Sequence, residues 1–243
     1  MKIIKLDAID STNSFLKDLA HSSSLENYTV VTAKRQFNGR GQMGTHWVSE
    51  AEKNLLCSVY AEFDGFSVAN KVLINYAVSL AVVSTLEKFD VPRLTIKWPN
   101  DILSSNKKLC GILIENVMQQ KKIKSSIIGI GINVNQEKFP ENIKNVTSIK
   151  NVISSPVDLD VLLGELIQEL KLSLAYITNS STNVLKKNYL KKLYKKNIPT
   201  MFRNSQDVLF MGKIVGVSSQ GKLQIELDDE SIQEFEIKEV SFA

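Results

Sequence analysis

An α+β chain that closes in a small all-β unit is what the sequence predicts. Three observations carry that prediction. Period-two apolar runs alternate with helix-period runs as far as residue 196. After Asn197-Ile198-Pro199 the texture changes to short strands and turns. The 243 residues are 43% hydrophobic and 23% charged, a composition that buries a globular core without staples. The expected division is therefore 1–196 and 197–243.

Each element has its own signal. Ile3, Ile4 and Leu6 open a short strand. Asp10-Ser11-Thr12-Asn13 offers side-chain oxygens that cap a helix, and Phe15, Leu16 and Leu19 give that helix an apolar face. Residues 28–34 are rich in strand formers, and residues 36–45, with three glycines, read as a loop. Leu55, Cys57, Val59 and Ala61 repeat at period two, which predicts a strand over 54–63 with one buried face. Between 67 and 88 the period lengthens, and Leu73, Ala77, Leu80, Ala81 and Ser84 share one face of a helix. Residues 94–98 return to strand. Pro99 then removes a backbone donor and turns the chain. Residues 110–115 and 126–134 are apolar strands, with a polar hairpin end at Gln119-Gln120-Lys121-Lys122.

Leu159, Leu162, Leu163, Leu166, Ile167, Leu170 and Leu174 trace an amphipathic helix. A second helix over 184–196 carries six lysines opposite Leu185, Tyr189, Leu193 and Tyr194. Its lysines read as a solvated face, or else as a docking surface for an acidic partner. Strands over 208–217, 223–227 and 234–237 then suggest a small β-barrel.

Several function classes are excluded or weakened. Lys plus Arg is 30 and Asp plus Glu is 26, so the net charge is +4, too mild to demand nucleic acid. Two cysteines cannot build a disulfide framework or a four-thiolate zinc site. Two histidines disfavour a Ser-His-Asp enzyme or a multi-histidine metal site. Residues 1–10 hold no signal-peptide block, and the longest apolar stretch, 73–83, is too short to cross a bilayer. The expected setting is the cytoplasm, with no membrane.

Gly39-Arg40-Gly41-Gln42-Met43-Gly44 matches G-x-G-x-x-G, but a strand rather than a helix follows it, against the dinucleotide fingerprint. Its glycines instead let backbone donors approach an anion, and Arg40 adds a planar fork of donors. Trp47 offers a π-face for a fused ring or a purine, or serves as core. Lys97-Trp98-Pro99-Asn100-Asp101 brings polar side chains to a strand end. Lys107-Lys108 precedes the Cys110-Gly111-Ile112-Leu113 strand, and Gly129-Ile130-Gly131-Ile132-Asn133 ends in an amide. Polar groups at successive strand ends, on apolar walls, describe a pocket. Cys110 reads as small packing rather than as a nucleophile.

Taken in order, Asp10-Ser11-Thr12-Asn13, Gln36 with Gly39-Arg40-Gly41, Lys97-Trp98-Pro99-Asn100-Asp101, Lys108-Leu109-Cys110-Gly111-Ile112-Leu113 and Gly129-Ile130-Gly131-Ile132-Asn133-Val134-Asn135 resemble the biotin protein ligases. The resemblance spans the chain. It implies a mixed β-sheet flanked by helices, followed by an SH3-like β-barrel. It also implies a two-step reaction: biotin and ATP, with Mg²⁺, give biotinyl-5′-AMP and pyrophosphate, and a lysine of a biotin carboxyl carrier domain then takes the biotinyl group. The carrier expected is that of acetyl-CoA carboxylase or another biotin-dependent carboxylase. Members that repress transcription carry an N-terminal winged helix; only nine residues precede Asp10 here, so a ligase that does not bind DNA is expected. Exposed strand edges could pair two copies as a homodimer.

The resemblance also assigns roles. Ser11, Thr12, Asn13 and Gln36 fall where biotin is held, with Gly39, Arg40, Gly41, Gln42, Lys108, Gly111 and Leu113. Arg40, Trp47, Asn100, Lys108, Ile132 and Asn133 fall at the nucleotide. Arg40 and Lys108 are the catalytic cations, and Asp101 is the residue to suspect near a metal or the incoming lysine. One departure matters: the pattern reads Gly-Arg-Gly-Arg, and here its fourth residue is Gln42, which carries no charge. Weaker retention of the adenylate is expected unless another cation compensates. The alternatives are lipoate or octanoate ligation, disfavoured by the polar Ser11, Thr12 and Gln36, and a non-catalytic nucleotide-binding module.

Overall fold

The computed structural model describes residues 2–178 and 182–243. The order is β1 (Ile3–Ile9), α1 (Thr12–Ser22), β2 (Val30–Gln36), β3 (Leu55–Ser67), α2 (Lys71–Glu87), β4 (Leu94–Lys97), β5 (Asp101–Ser104), β6 (Lys107–Gln119) and β7 (Lys122–Ile132). Then come α3 (Ile149–Ile153), α4 (Leu159–Thr178), α5 (Thr182–Lys192), β8 (Pro199–Asn204), β9 (Leu209–Val217), β10 (Leu223–Glu226), β11 (Ile232–Phe235) and β12 (Val240–Phe242).

The first seven strands make one mixed sheet in the order β1-β2-β3-β7-β6-β5-β4. β1 and β2 are parallel because α1 crosses between them, and the remaining neighbours are antiparallel. Side-chain alternation divides the sheet into two faces. Leu55, Cys57 and Val59 of β3 and Ile128, Ile130 and Ile132 of β7 join the main core with α2 and α4. Val31, Tyr60 and Ile127 point the other way and pack with Leu16 of α1. So β3 is buried on both faces from Leu55 to Ala61, not on one. Ser58 conceals this by breaking the apolar run on the second face, where it is buried against Thr12 and Asn13 while Tyr60 packs with Leu16 of α1.

α2 differs from its expected amphipathic form. It is enclosed almost all round, with Ile74, Tyr76, Ala77, Val78, Ala81, Val82 and Leu86 buried, while Leu73, Leu80 and Ser84 of the expected face are only partly so. Residues Val68–Glu87 are long and apolar enough to cross a membrane by length and composition. It is therefore burial against the sheet, α4 and α5, not shortness, that accounts for this apolar stretch. α5 stops at Lys192 rather than at 196, because Leu193 and Tyr194 bridge to Ile96 of β4. Its seam of Leu185, Tyr189 and Leu193 is buried, and the rings of Tyr76 and Tyr189 pack with centroids 4.1 Å apart and planes tilted by 30°.

The C-terminal unit is a five-stranded antiparallel sheet, β11-β10-β9-β8-β12. It has two more strands than expected. β8 begins with Pro199 and β12 has three residues, so neither gives a strong periodic signal. Its apolar residues Phe202, Ile214, Val217, Leu223, Ile225 and Phe235 run on into the main core. Trp98 Nε1 also donates to Gly221 O at 3.0 Å, tying the two sheets together.

Candidate active site

The face of the main sheet that carries α1 is left open beyond it, over β6 and β7. Gly111, Gly129 and Gly131 point to this face and have no side chain to fill it. A Cβ at Gly129 would overlap Asn13 Oδ1, and one at Gly111 or Gly131 would come within 2.8 or 2.7 Å of the Trp47 ring. Bare backbone is thus required for α1 and Trp47 to approach the sheet. The result is a cavity of about 280 Å³.

One end of it is neutral. Ser11 caps α1 and accepts from Ser14 N. Thr12 donates to Gln36 Oε1 through its backbone N–H (2.8 Å) and its hydroxyl (3.1 Å). Ser58 Oγ lies 2.8 Å from Thr12 Oγ1 and donates to Asn13 Oδ1 at 2.6 Å. Asn13 Nδ2 in turn donates to Glu115 Oε2 at 3.0 Å. Ser11, Thr12, Asn13 and Ser58 are all buried, so this chain of hydrogen bonds is fixed and water-shielded.

The other end is charged. Arg40 forks onto Glu115, with both nitrogen–oxygen distances 3.1 Å, and Lys17 lies 3.6 Å from the same carboxylate. Burial pushes the Glu115 carboxyl up, but the hydrogen bond from Asn13 and the charges of Arg40 and Lys17 outweigh it and hold the group below its ordinary range. Lys108 Nζ pairs with Asp101 Oδ1 at 2.7 Å and sits 5.5 Å from the Trp47 ring centroid. Arg40 and Lys108 keep 44% and 37% of their side-chain surface in solvent, so both can reorient toward an arriving anion. Asn100 Nδ2 donates to Ile112 O, which pins the β4–β5 turn to β6.

The glycine loop closes the roof. Gly41 N donates to Thr45 O (2.7 Å) and Trp47 N to Gly39 O (2.8 Å), folding the loop back on itself. A side chain at Gly39 or Gly41 would strike Trp47 O or Thr45 Oγ1. Trp47 Nε1 is buried here without a hydrogen-bond partner among the described residues. From the C-terminal sheet, Lys238 Nζ donates to Met43 O at 3.1 Å.

Ser11, Thr12, Asn13, Gln36, Arg40, Gly41, Gln42, Trp47, Asn100, Asp101, Lys108, Gly111 and Leu113 line this one cavity. Gly39 backs the loop. Ile132 and Asn133 do not line it. Ile132 faces the α2 side with the core, and Asn133 is buried with its amide donating to Thr147 O. Sequence reasoning missed Ser58, Glu115 and Lys238. Glu115 could have been found as a carboxylate inside an apolar strand. Ser58 and Lys238 carried no such signal. Both thiols are buried: Cys57 is pushed up to about 12, and burial together with the nearby Asp101 charge raises Cys110, so neither supplies a nucleophile. Among the described residues no cluster of three metal-ligating side chains occurs.

The model of the Biotin/lipoate A/B protein ligase family matches residues 6–133. A bifunctional ligase/repressor, BirA, of Bacillus spizizenii is 32% identical across 93% of this chain and 70% of its own length. A biotin–(acetyl-CoA-carboxylase) ligase of Paracoccus denitrificans is 35% identical over 51% of each chain. The structure of a biotin protein ligase from Aquifex aeolicus with biotin and ATP superposes with a TM-score of 0.81 at 27% identity, covering 100% of this chain and 98% of that one.

Proposed function

The chain belongs to the biotin/lipoate A/B protein ligase family, and from that premise we infer that it is an ATP-dependent biotin protein ligase of the biotin–(acetyl-CoA-carboxylase) ligase class. A biotin carboxylate oxygen attacks the α-phosphorus of ATP, the bond to the β-phosphate oxygen breaks, and pyrophosphate leaves. The ε-amine of a carrier lysine then attacks the acyl carbon. The bond to the AMP oxygen breaks, AMP leaves, and the amine gives up a proton. The substrate brings its own nucleophile, so the protein's task is to position two anions and steady the charge between them.

The observation that carries this reading is the two-ended cavity. A neutral hydrogen-bonding end suits a ureido ring, which a dithiolane or plain alkyl chain would leave unpaired. Ser11, Thr12 and Gln36 hold that ring with the Gly111 backbone, Asn13 and Ser58 brace them, and Leu113 forms the apolar wall. Arg40, Gly39, Gly41, Gln42 and Lys108 bring carboxylate and α-phosphate together. Trp47 covers the intermediate and Asn100 meets the nucleotide. Asp101 is the one carboxylate among the described lining residues, and it is already paired with Lys108. It therefore suits a Mg²⁺ ion that arrives on the ATP phosphates, rather than a resident metal. The same pair places Asp101 to receive the carrier lysine.

The acceptor is a biotin carboxyl carrier domain, of acetyl-CoA carboxylase or another biotin-dependent carboxylase. Residues 1–196 form the catalytic unit, and 197–243, an SH3-like unit, closes against the glycine loop. Two buried free thiols suit the cytoplasm. The test is transfer: with biotin, ATP and Mg²⁺, a carrier domain should gain one biotinyl group and release one AMP per group. A carrier that stays unmodified while adenylate accumulates would contradict the transfer step.

A further inference from the structure

Three cations line the cavity, and two of them rest on carboxylates, Arg40 on Glu115 and Lys108 on Asp101, which an arriving anion must displace. The third, Lys238, has no carboxylate partner among the described residues; its ammonium rests on a neutral acceptor, Met43 O, at 3.1 Å. It stands between β11 and β12, 195 residues along the chain from the loop it touches. Its φ of 72° lies in the left-handed region that favours glycine, so a lysine is held there against local preference. The residue before Met43 is Gln42, which lines the same cavity and adds no charge. The cation without a carboxylate partner among the described residues thus comes from the turn between β11 and β12.

We propose that Lys238 is a further cation, beside Arg40 and Lys108, that retains the phosphate of the acyl-adenylate, exchanging the Met43 carbonyl for a phosphate oxygen when the anion is present. This rests on the ligase reading above. Lys238 makes or breaks no covalent bond. A charge-assisted contact is stronger than one to a carbonyl, which drives the exchange.

The experiment uses the full chain. Wild type, Lys238→Met and Lys238→Arg are loaded with biotin and ATP, and loss of bound biotinyl-AMP is followed after rapid gel filtration. Lys238→Met should lose the intermediate about tenfold faster, as expected for one partly exposed charged contact, while Lys238→Arg holds it like wild type. Raising ionic strength should shorten retention in wild type far more than in Lys238→Met, a readout that a purely structural role would not move. Adding Gln42→Arg to Lys238→Met should restore retention from the neighbouring position. Equal retention and equal salt dependence in wild type and Lys238→Met would overturn the proposal and leave the ligase reading intact. Loss in Lys238→Arg as large as in Lys238→Met would also overturn it, since charge is then not the cause. A wild type that forms no adenylate from biotin would overturn both.

Discussion

The two ends of the cavity are built by different means. The neutral end is made of buried groups on regular elements, α1, β2 and β3, each holding the next by a fixed hydrogen bond. The charged end is made of partly exposed groups: the ion pairs Arg40–Glu115 and Lys108–Asp101, and Lys238 from the turn between β11 and β12 on a loop carbonyl. The first is shaped before any ligand arrives. The second can rearrange, because exposed pairs are weakly held and exchange partners readily. Recognition is thus assigned to the rigid end and charge handling to the movable one.

Substitutions can break or sharpen that contrast. The largest effect is expected for Arg40→Ala, which should lower biotin-dependent ATP–pyrophosphate exchange by about 10²–10³. Gly129→Ala comes next. Its methyl would displace Asn13 and cost on the order of 1–3 kcal/mol, read as about fivefold to a hundredfold weaker biotin binding by titration calorimetry and a lower melting temperature. Ser58→Ala removes one buried hydroxyl at about 1 kcal/mol, so KM for biotin should rise roughly fivefold with kcat nearly unchanged.

Acid should distinguish the ends as well. Glu115 has a folded-state pKa below its ordinary value, so the stability it adds is present at neutral pH and lost as pH falls through the depressed value. Melting temperature should therefore drop less steeply below the ordinary glutamate range in Glu115→Gln than in wild type. The smallest effect is expected for Gln42→Arg alone, which should lengthen adenylate retention only slightly while Lys238 is present.

Legibility in the sequence followed the same division. Residues whose role is set by local pattern were readable: the Ser11 cap, the glycine loop, the β6–β7 hairpin and the long helix α4. Residues whose role is set by distant partners were not. Ser58 looks like any small polar position in a strand until Thr12 and Asn13 come to rest on it. Lys238 looks like one more surface lysine until the C-terminal sheet brings it to Met43. Ile132 and Asn133 lie off this cavity for a geometric reason: period two sends Ile132 to the α2 face, and the chain after it turns Asn133 toward Thr147. α2 misled because a helix enclosed almost all round offers only a weak face for periodicity to find.

The central claim is that a neutral, preformed end selects the acyl group while a cationic end drives adenylation. It is tested most directly by ATP–pyrophosphate exchange run in parallel with biotin, lipoate and octanoate. Exchange with biotin alone is the result predicted here. Equal exchange with lipoate or octanoate would contradict it, because the hydrogen-bonded end would then contribute nothing to the choice of acid.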